Sequence, residues 1–232
     1  MTKIRLFVNN KFNFSKKINI DSEKEHYLSR VMRKRDGDEI FIFNGEEEWK
    51  AKLSCKGGMK IVPINLIKKK MPSDDIWLCF SLIKSKNINY LIEKTTEVGV
   101  KRIVPIITEF SEKFNLNYER LNKIIIEAVE QSDAINVPKL QDTISLEELL
   151  DNWDEDRIII FCDENRSGSK IFEIPFKKKK MAIFIGPVGG WSEKDKKFFK
   201  NKNVYNVNLG KNILKADTAA IISLSMVKEL LQ

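Results

Sequence analysis

Residues 183–192 read Ile-Phe-Ile-Gly-Pro-Val-Gly-Gly-Trp-Ser. An apolar run stops at Gly186, a proline and two more glycines follow, and Ser192 opens a charged stretch. A strand that ends in a tight loop and re-enters the fold as a helix reads this way. The same alternation extends to both sides. Strands are predicted at Ile76–Ile83, Arg102–Ile107, Ile158–Cys162, Met181–Ile185 and Val204–Leu209. Between and after them come helices at Asn87–Val98, Tyr118–Ser132, Ser145 to about Trp153, Ser192–Phe199 and about Asp217–Leu231. Strands alternating with helices imply an α/β fold with a mostly parallel sheet covered on both faces. The last helix is apolar around most of its circumference, so its burial is expected on two sides, against its own sheet and against a second subunit.

The first seventy residues follow a different period. Short β elements are expected at Ile4–Val8, Lys17–Ile20, Glu39–Asn44, Trp49–Cys55 and Lys60–Ile67, separated by Asp36-Gly37-Asp38, Asn44-Gly45 and Gly57-Gly58. This pattern suits a small β-barrel. One helical insert, about Ser22–Met32, follows an Asp21-Ser22 start signal and carries His26, Arg30 and Arg33. Lys68-Lys69-Lys70-Met71-Pro72-Ser73-Asp74-Asp75 reads as a linker. The chain is therefore expected to hold a β-barrel domain over residues 1–70 and an α/β domain over 76–232.

The 41 Lys and Arg exceed the 33 Asp and Glu by 8, which favours an anionic partner such as nucleic acid, a modestly basic enzyme being the alternative. No apolar run is long enough to cross a bilayer, and MTKIRLFVNNKFNF lacks the apolar core of a signal peptide, so a soluble cytoplasmic protein without membrane contact is expected. Cys55, Cys79 and Cys162 fit no metal-ligand spacing and read as small buried hydrophobes. The single histidine, His26, builds no metal cluster, so no metal is expected.

Three strand ends in the second half lead into unusual loops: FCDENRSGS, GPVGGWS and LGKNILKAD. In an open α/β sheet ligands sit beyond the carboxyl ends of the strands, so the three could line one site. Phosphate-cradle readings fail on spacing, since no Gly-Lys-Ser/Thr follows Gly186 and the order G-x-G-x-x-G is missing. Taken alone, GPVGG is as well explained by a tight turn before a helix. In the third loop, an N-cap role for Asp217 or Thr218 explains the acid but leaves Ile213 and Leu214 unexplained. Two apolar residues in a Gly-started loop suit the walls of a pocket for a flat heterocycle.

Taken together, IEKTTEVGV (Ile92–Val100), EAVEQS followed by Val137-Pro138, FIGPVGGWS and LGKNILKADTAA resemble the RsmE-type methyltransferases of the SPOUT class. YLSRVMRKRDGDEIFIFNG (Tyr27–Gly45) is similar to that family's PUA-like β-barrel, and the similarity covers nearly the whole chain in order. The resemblance implies a trefoil-knotted α/β domain behind a PUA-like barrel, a homodimer, and S-adenosylmethionine-dependent methylation of uracil N3 in 16S ribosomal RNA of the small subunit. It implies a cofactor site with Gly186, Gly189, Gly190, Leu209 and Gly210 reading adenine and ribose through their backbone, and Ile185, Ile213 and Leu214 packing on the base. Cys162, Pro187 and Thr218 complete that expected set. Lys215 and Asp217 are the implied catalytic pair. For RNA, Arg30 and Arg33 match the family's paired arginines, with Lys34 and Arg35 beside them in the barrel, Lys68 to Lys70 in the linker and Lys84 in the α/β domain as further candidates; the spacing of Arg30 and Arg33 also suits phosphate contact from one helix face. Lys177–Lys180 reads as a solvated face.

The chain departs from the family at charged positions. Val188 stands for a Glu, Phe110, Asn212, Ala134 and Lys215 for arginines, Asp133 for a Gly, and Asp217 for a Glu. Lost arginines remove bidentate anion binders that Lys replaces incompletely. Two alternatives therefore stand beside the enzyme: an RNA-binding or ribosome-assembly protein that keeps the fold without catalysis, and a knotted methyltransferase with another RNA target.

Overall fold

The computed structural model describes residues 4–83, 85–163, 168–174 and 180–231. Lys84 and Lys177–Lys179, singled out above, lie outside the described residues. The chain divides into two units, Met1–Pro72 with Val129–Asn136, and Ser73–Ala128 with Val137–Gln232.

The first unit carries β1 (Arg5–Phe7), β2 (Ile18–Asn19), α1 (Ser22–His26), β3 (Glu39–Phe43), β4 (Glu47–Ser54) and β5 (Lys60–Lys69). They form a mixed sheet in the order β1-β3-β4-β5-β2, with β1 and β2 at its two ends. Alternation sends Ile40 and Ile42 of β3, and Ala51 and Leu53 of β4, into one core with Leu6, Leu28 and Ile61. Strand β5 runs on through Lys68 and Lys69, which the sequence placed in a linker. The reason is cross-strand charge, because Lys68 and Lys69 pair in register with Glu48 and Glu47.

Arg5 is buried and fully engaged. Its Nε and Nη2 donate to Glu48 Oε2 at 3.1 and 2.8 Å, and its guanidinium also donates to the carbonyls of Val129 and Ala134, each at 2.6 Å. A buried guanidinium is tolerated only when paired and hydrogen-bonded in this way. The helical insert begins as expected, with the Asp21 carboxylate accepting from Lys24 N at 2.8 Å. It is α-helical only to His26, continues as a π turn over Tyr27–Val31, and ends before Arg33, whose φ is 52°. Arg30 and Arg33 thus do not share a helix face. Both are exposed on one short segment with Arg35, while Lys34 is half-buried there.

The second unit carries β6 (Asp75–Ser81), α2 (Ser85–Val98), β7 (Arg102–Ile107), α3 (Tyr118–Gln131), β8 (Lys139–Leu140), β9 (Ile144–Ser145) and α4 (Leu146–Asp151). After these come β10 (Ile158–Cys162), β11 (Ser169–Lys170), β12 (Lys180–Ile185), α5 (Glu193–Phe198), β13 (Val204–Asn208) and α6 (Ala216–Glu229). The strand order is β11-β13-β10-β12-β6-β7-β8, with β9 also beside β7, and every pairing is parallel. Strands β8, β9 and β11 were not foreseen, because two residues carry no readable period.

Period-2 alternation splits each central strand between two cores. Ile158 and Ile160, and Met181, Ile183 and Ile185, join one face with residues of α2 and α6. Ile159 and Phe161, and Ala182 and Phe184, join the other with residues of α4. Gly168 lets β11 approach β13, since a Cβ there would fall on the backbone of Asn206 and only 2.7 Å from Val207 N.

Charge closes the amino edge of the sheet. Arg157 is buried and donates through Nη1 to Asp75 O at 2.9 Å, Asp75 Oδ1 at 3.2 Å and Met181 O at 3.1 Å. The Trp77 ring receives Arg157 at 3.9 Å and Arg102 at 4.1 Å. Burial pushes the Asp75 carboxyl up, but hydrogen bonds from Arg157 and Lys101 outweigh it and leave the pKa below its ordinary value. The stabilisation from this depressed group is complete above the ordinary Asp range of about 4 and is lost as pH falls through the folded-state value. Urea unfolding of Asp75→Asn is therefore expected to show lower stability than the parent at neutral pH, with the gap narrowing as pH drops below about 4.

Candidate active site

The carboxyl ends of β10, β12 and β13 face one cavity of about 630 Å³ in the second unit. The loop after β12 supplies Gly186 to Gly190, the segment after β13 supplies Leu209, Gly210 and residues 212–217, and β10 ends there with Cys162 and Asp163. Ile83, Asn87 and Ala219 complete the lining. Of the expected cofactor residues, Cys162, Ile185, Gly186, Pro187, Gly189, Gly190, Leu209, Gly210, Ile213 and Leu214 all line it. Lys215 and Asp217 line it as well. Thr218 is not among the lining residues, and its N–H donates to Asp217 Oδ1 at 2.8 Å. Asp163, Asn87 and Ala219 were missed because nothing local distinguishes them.

The glycine loop is shaped by Trp191. A Cβ on Gly186 would lie 2.8 Å from Trp191 Nε1, so the indole occupies the space of that missing side chain. The same Nε1–H donates to the carbonyl of Cys162 at 3.1 Å, tying the end of β10 to the loop after β12. The ring packs on Phe161 and Phe199, with centroids at 4.9 and 5.5 Å. Gly190 has φ 77°, a conformation that favours glycine, and the turn closes with its N–H on Pro187 O at 3.0 Å.

Ser192, where the helix was expected to begin, is the N-cap of α5. Its hydroxyl accepts from Asp195 N at 3.0 Å and donates to Asp195 Oδ2 at 2.9 Å. The buried Asp195 carboxylate also accepts from Glu109 N, at 3.3 and 3.4 Å, which binds the loop after β7 to the start of α5.

At the third wall, neither Asp217 nor Thr218 is the helix cap. Lys215 holds the N-cap position of α6 without a side-chain cap bond, and its carbonyl accepts from Ala219 N at 2.8 Å. Freed from capping, the Lys215 side chain and the half-buried Asp217 both border the cavity. Gly210 has φ 130°, and its N–H donates to Asn208 Oδ1 at 2.9 Å. The Cys162 thiol is pushed up to about 12 by burial, against a lowering hydrogen bond with Ser223, so it stays protonated and is no nucleophile. Cys79 is buried as expected and Cys162 is half-buried, whereas Cys55 is exposed, contrary to the expectation.

Residues 69–228 match the family model described as the RNA methyltransferase domain. The chain belongs to this family. Residues 20–57 match the RNA methyltransferase PUA domain. The chain is similar to Ribosomal RNA small subunit methyltransferase E of Rickettsia conorii, 27% identical with 97% of this chain and 94% of that protein covered. It is 30% identical to Ribosomal RNA small subunit methyltransferase E 2 of Borreliella burgdorferi, over 91% of this chain and 90% of that one. A crystal structure of the Neisseria gonorrhoeae methyltransferase E bound to S-adenosyl methionine superposes with a TM-score of 0.91, covering 99% of this chain and 98% of that one at 23% identity. The fold is of the expected α/β class, a parallel-sheet domain that follows a small β domain matching the RNA methyltransferase PUA model.

Gly186→Ala is expected to destabilise the protein by about 1–3 kcal/mol, the usual cost of overpacking, read by urea unfolding. Adding Trp191→Leu to that variant should cost less than the sum of the two single changes, since one clash is shared. Strict additivity would show that the indole does not fill the place of the missing side chain.

Proposed function

We propose that this chain transfers a methyl group from S-adenosylmethionine to N3 of a uracil in 16S ribosomal RNA of the small ribosomal subunit. The observation that carries the proposal is a cavity at the carboxyl ends of β10, β12 and β13, with Lys215 and Asp217 on its border. The names of the relatives, each a small-subunit ribosomal RNA methyltransferase, support the substrate class. The residues present suit the donor. The cavity falls in the usual size range for small-molecule sites, Ile185, Leu209 and Leu214 offer apolar faces for a flat base, and glycine backbone stands open to polar edges. The open space around Gly210, where a Cβ would touch nothing, leaves room for a ribose.

When bound, S-adenosylmethionine supplies an activated methyl group. The chain's own work is positioning and proton handling. Uracil N3 must lose its proton to become nucleophilic, and Asp217 is the carboxylate that takes it. Thr218 N–H, donating to Asp217 Oδ1, leaves Oδ2 for this task. Lys215 steadies the negative charge that spreads to the uracil oxygens. No covalent nucleophile is required, in keeping with the protonated Cys162.

RNA engagement is assigned to residues 1–70 through Arg30, Arg33, Lys34 and Arg35, with Lys84 from residues 76–232. Homodimerisation is assigned to α6, on which Ile221, Ile222 and Met226 keep partly open apolar surface. Among the described residues no helix is long and apolar enough to cross a membrane; work in the cytoplasm belongs to the same proposal, where a ribosomal RNA substrate would be met.

Methyl transfer to purified small subunits tests the chemistry. Asp217→Ala should lower kcat by about 100-fold or more, and Lys215→Ala by about 10- to 100-fold, with donor affinity nearly unchanged. Unchanged rates would remove both roles, and small-subunit RNA that keeps its N3-methyluridine in a strain lacking the protein would remove the substrate assignment. Arg30→Ala and Arg33→Ala should each weaken RNA binding and reduce the slope of log affinity against log salt by about 0.7–0.9. A slope equal to the parent's would place the phosphate contacts elsewhere.

A further inference from the structure

Phe110 follows β7 and sits outside the cavity lining, yet it is built into the same wall. Its Cβ, Cγ and Cδ2 lie 3.4–3.5 Å from where a Cβ on Gly189 would be, so one side of the ring lies against the glycine loop. Even so, 51% of the residue remains exposed.

The exposure is not that of a loose loop. Thr108 N donates to Ser111 Oγ at 2.7 Å, and Ser111 N donates back to Thr108 O at 3.2 Å. The Ser81 hydroxyl bonds those of Thr108 and Ser111 at 2.7 and 2.8 Å, Glu109 N is held by Asp195, and Glu112 N by Leu82 O. Both flanks of Phe110 are therefore pinned to buried groups while its ring is presented outward. On the cavity border Val188 and Ile213 are likewise 80% and 73% exposed. Large apolar side chains held in water by separate loops around one cavity mark a surface that receives something flat and apolar. Lys215 borders the same cavity together with Asp163 and Asp217, and the chain as a whole carries a formal charge of +8, which favours an anionic visitor. An unpaired nucleotide meets both requirements, since bases stack on aromatic rings while phosphates meet cations.

We infer that Phe110 is a stacking platform for an unpaired base of the RNA, next in the strand to the base that enters the cavity. This rests on the RNA methyltransferase function proposed above. Phe110 is a positioning and specificity residue, remote from the transferred methyl group.

Phe110→Leu and Phe110→Trp separate stacking from mere packing on Gly189. Binding of small-subunit RNA, its salt dependence, kcat and KM for the RNA, and calorimetric binding of S-adenosylmethionine are measured for both variants and the parent. Phe110→Leu should weaken RNA binding about 10-fold and raise KM to match, with kcat at saturating RNA, the salt slope and donor affinity unchanged. Phe110→Trp should restore RNA affinity or improve it. Parent-like RNA binding by Phe110→Leu, an equal loss in Phe110→Trp, or loss of donor affinity in Phe110→Leu would each overturn the inference, the last by showing that the ring only supports the glycine loop. A parent that binds RNA but transfers no methyl group would refute the function and leave the binding comparison to decide on Phe110. A parent that does not bind RNA would refute both.

Discussion

The indole of Trp191 stands in the space that a side chain at residue 186 would need, and the geometry of the site follows from that exchange. With Gly186 bare, the ring can lie against the end of β12 while its N–H reaches the Cys162 carbonyl at the end of β10. One residue further, Ser192 starts α5 and engages Asp195, which in turn holds Glu109 beyond β7. Three strand ends are thereby tied together by one aromatic side chain and the cap that follows it. The wall that results presents backbone and apolar surface, the material of a small-molecule site, with its glycines held in place by packing behind them.

The two ends of the sheet solve opposite problems. At the amino edge, strand starts are closed by buried charge: Arg157 satisfies backbone and side-chain oxygens, and Trp77 lies against both Arg157 and Arg102. At the carboxyl edge no comparable lock occurs among the described residues of the cavity, and glycines and short apolar residues leave an opening instead. Parallel strands place all their carboxyl ends on one side, so a rigid floor and an open mouth come from the same topology.

The positions at which this chain departs from the RsmE-type pattern acquire a physical context. Val188 is almost wholly exposed, so the loop's shape does not depend on its side chain, and the change from Glu alters the character of the rim without altering the wall. Phe110 replaces a charged group with a ring seated on Gly189, and Asn212 stays on the cavity border. The mouth of the site carries exposed apolar Val188 and Ile213, with Lys215, Asp163 and Asp217 also on its border.

Strand and helix periods, the helix start at Ser192 and the three strand-end loops were legible because each is a short-range property. Alternation needs only neighbouring residues, and a cap needs only the next turn. The expected cofactor residues came from resemblance alone, since GPVGG by itself also describes a plain turn, and all of them but Thr218 line the cavity. Where packing decides, the sequence was silent or misleading. Lys68 and Lys69 looked like a linker until Glu47 and Glu48 of β4 became their neighbours. Arg30 and Arg33 looked like one helix face until a π turn and a positive φ at Arg33 separated them. Asp217 looked like a cap until Lys215 took that position and left the acid beside the cavity. By itself, then, the sequence determined the long strands and helices and the unusual loops at the strand ends, because those follow from local periodicity and backbone preference. Only the tertiary structure decided which loops meet, why Gly186 must be bare and where Phe110 points, because these depend on atoms distant in the chain that the fold brings within a few ångströms.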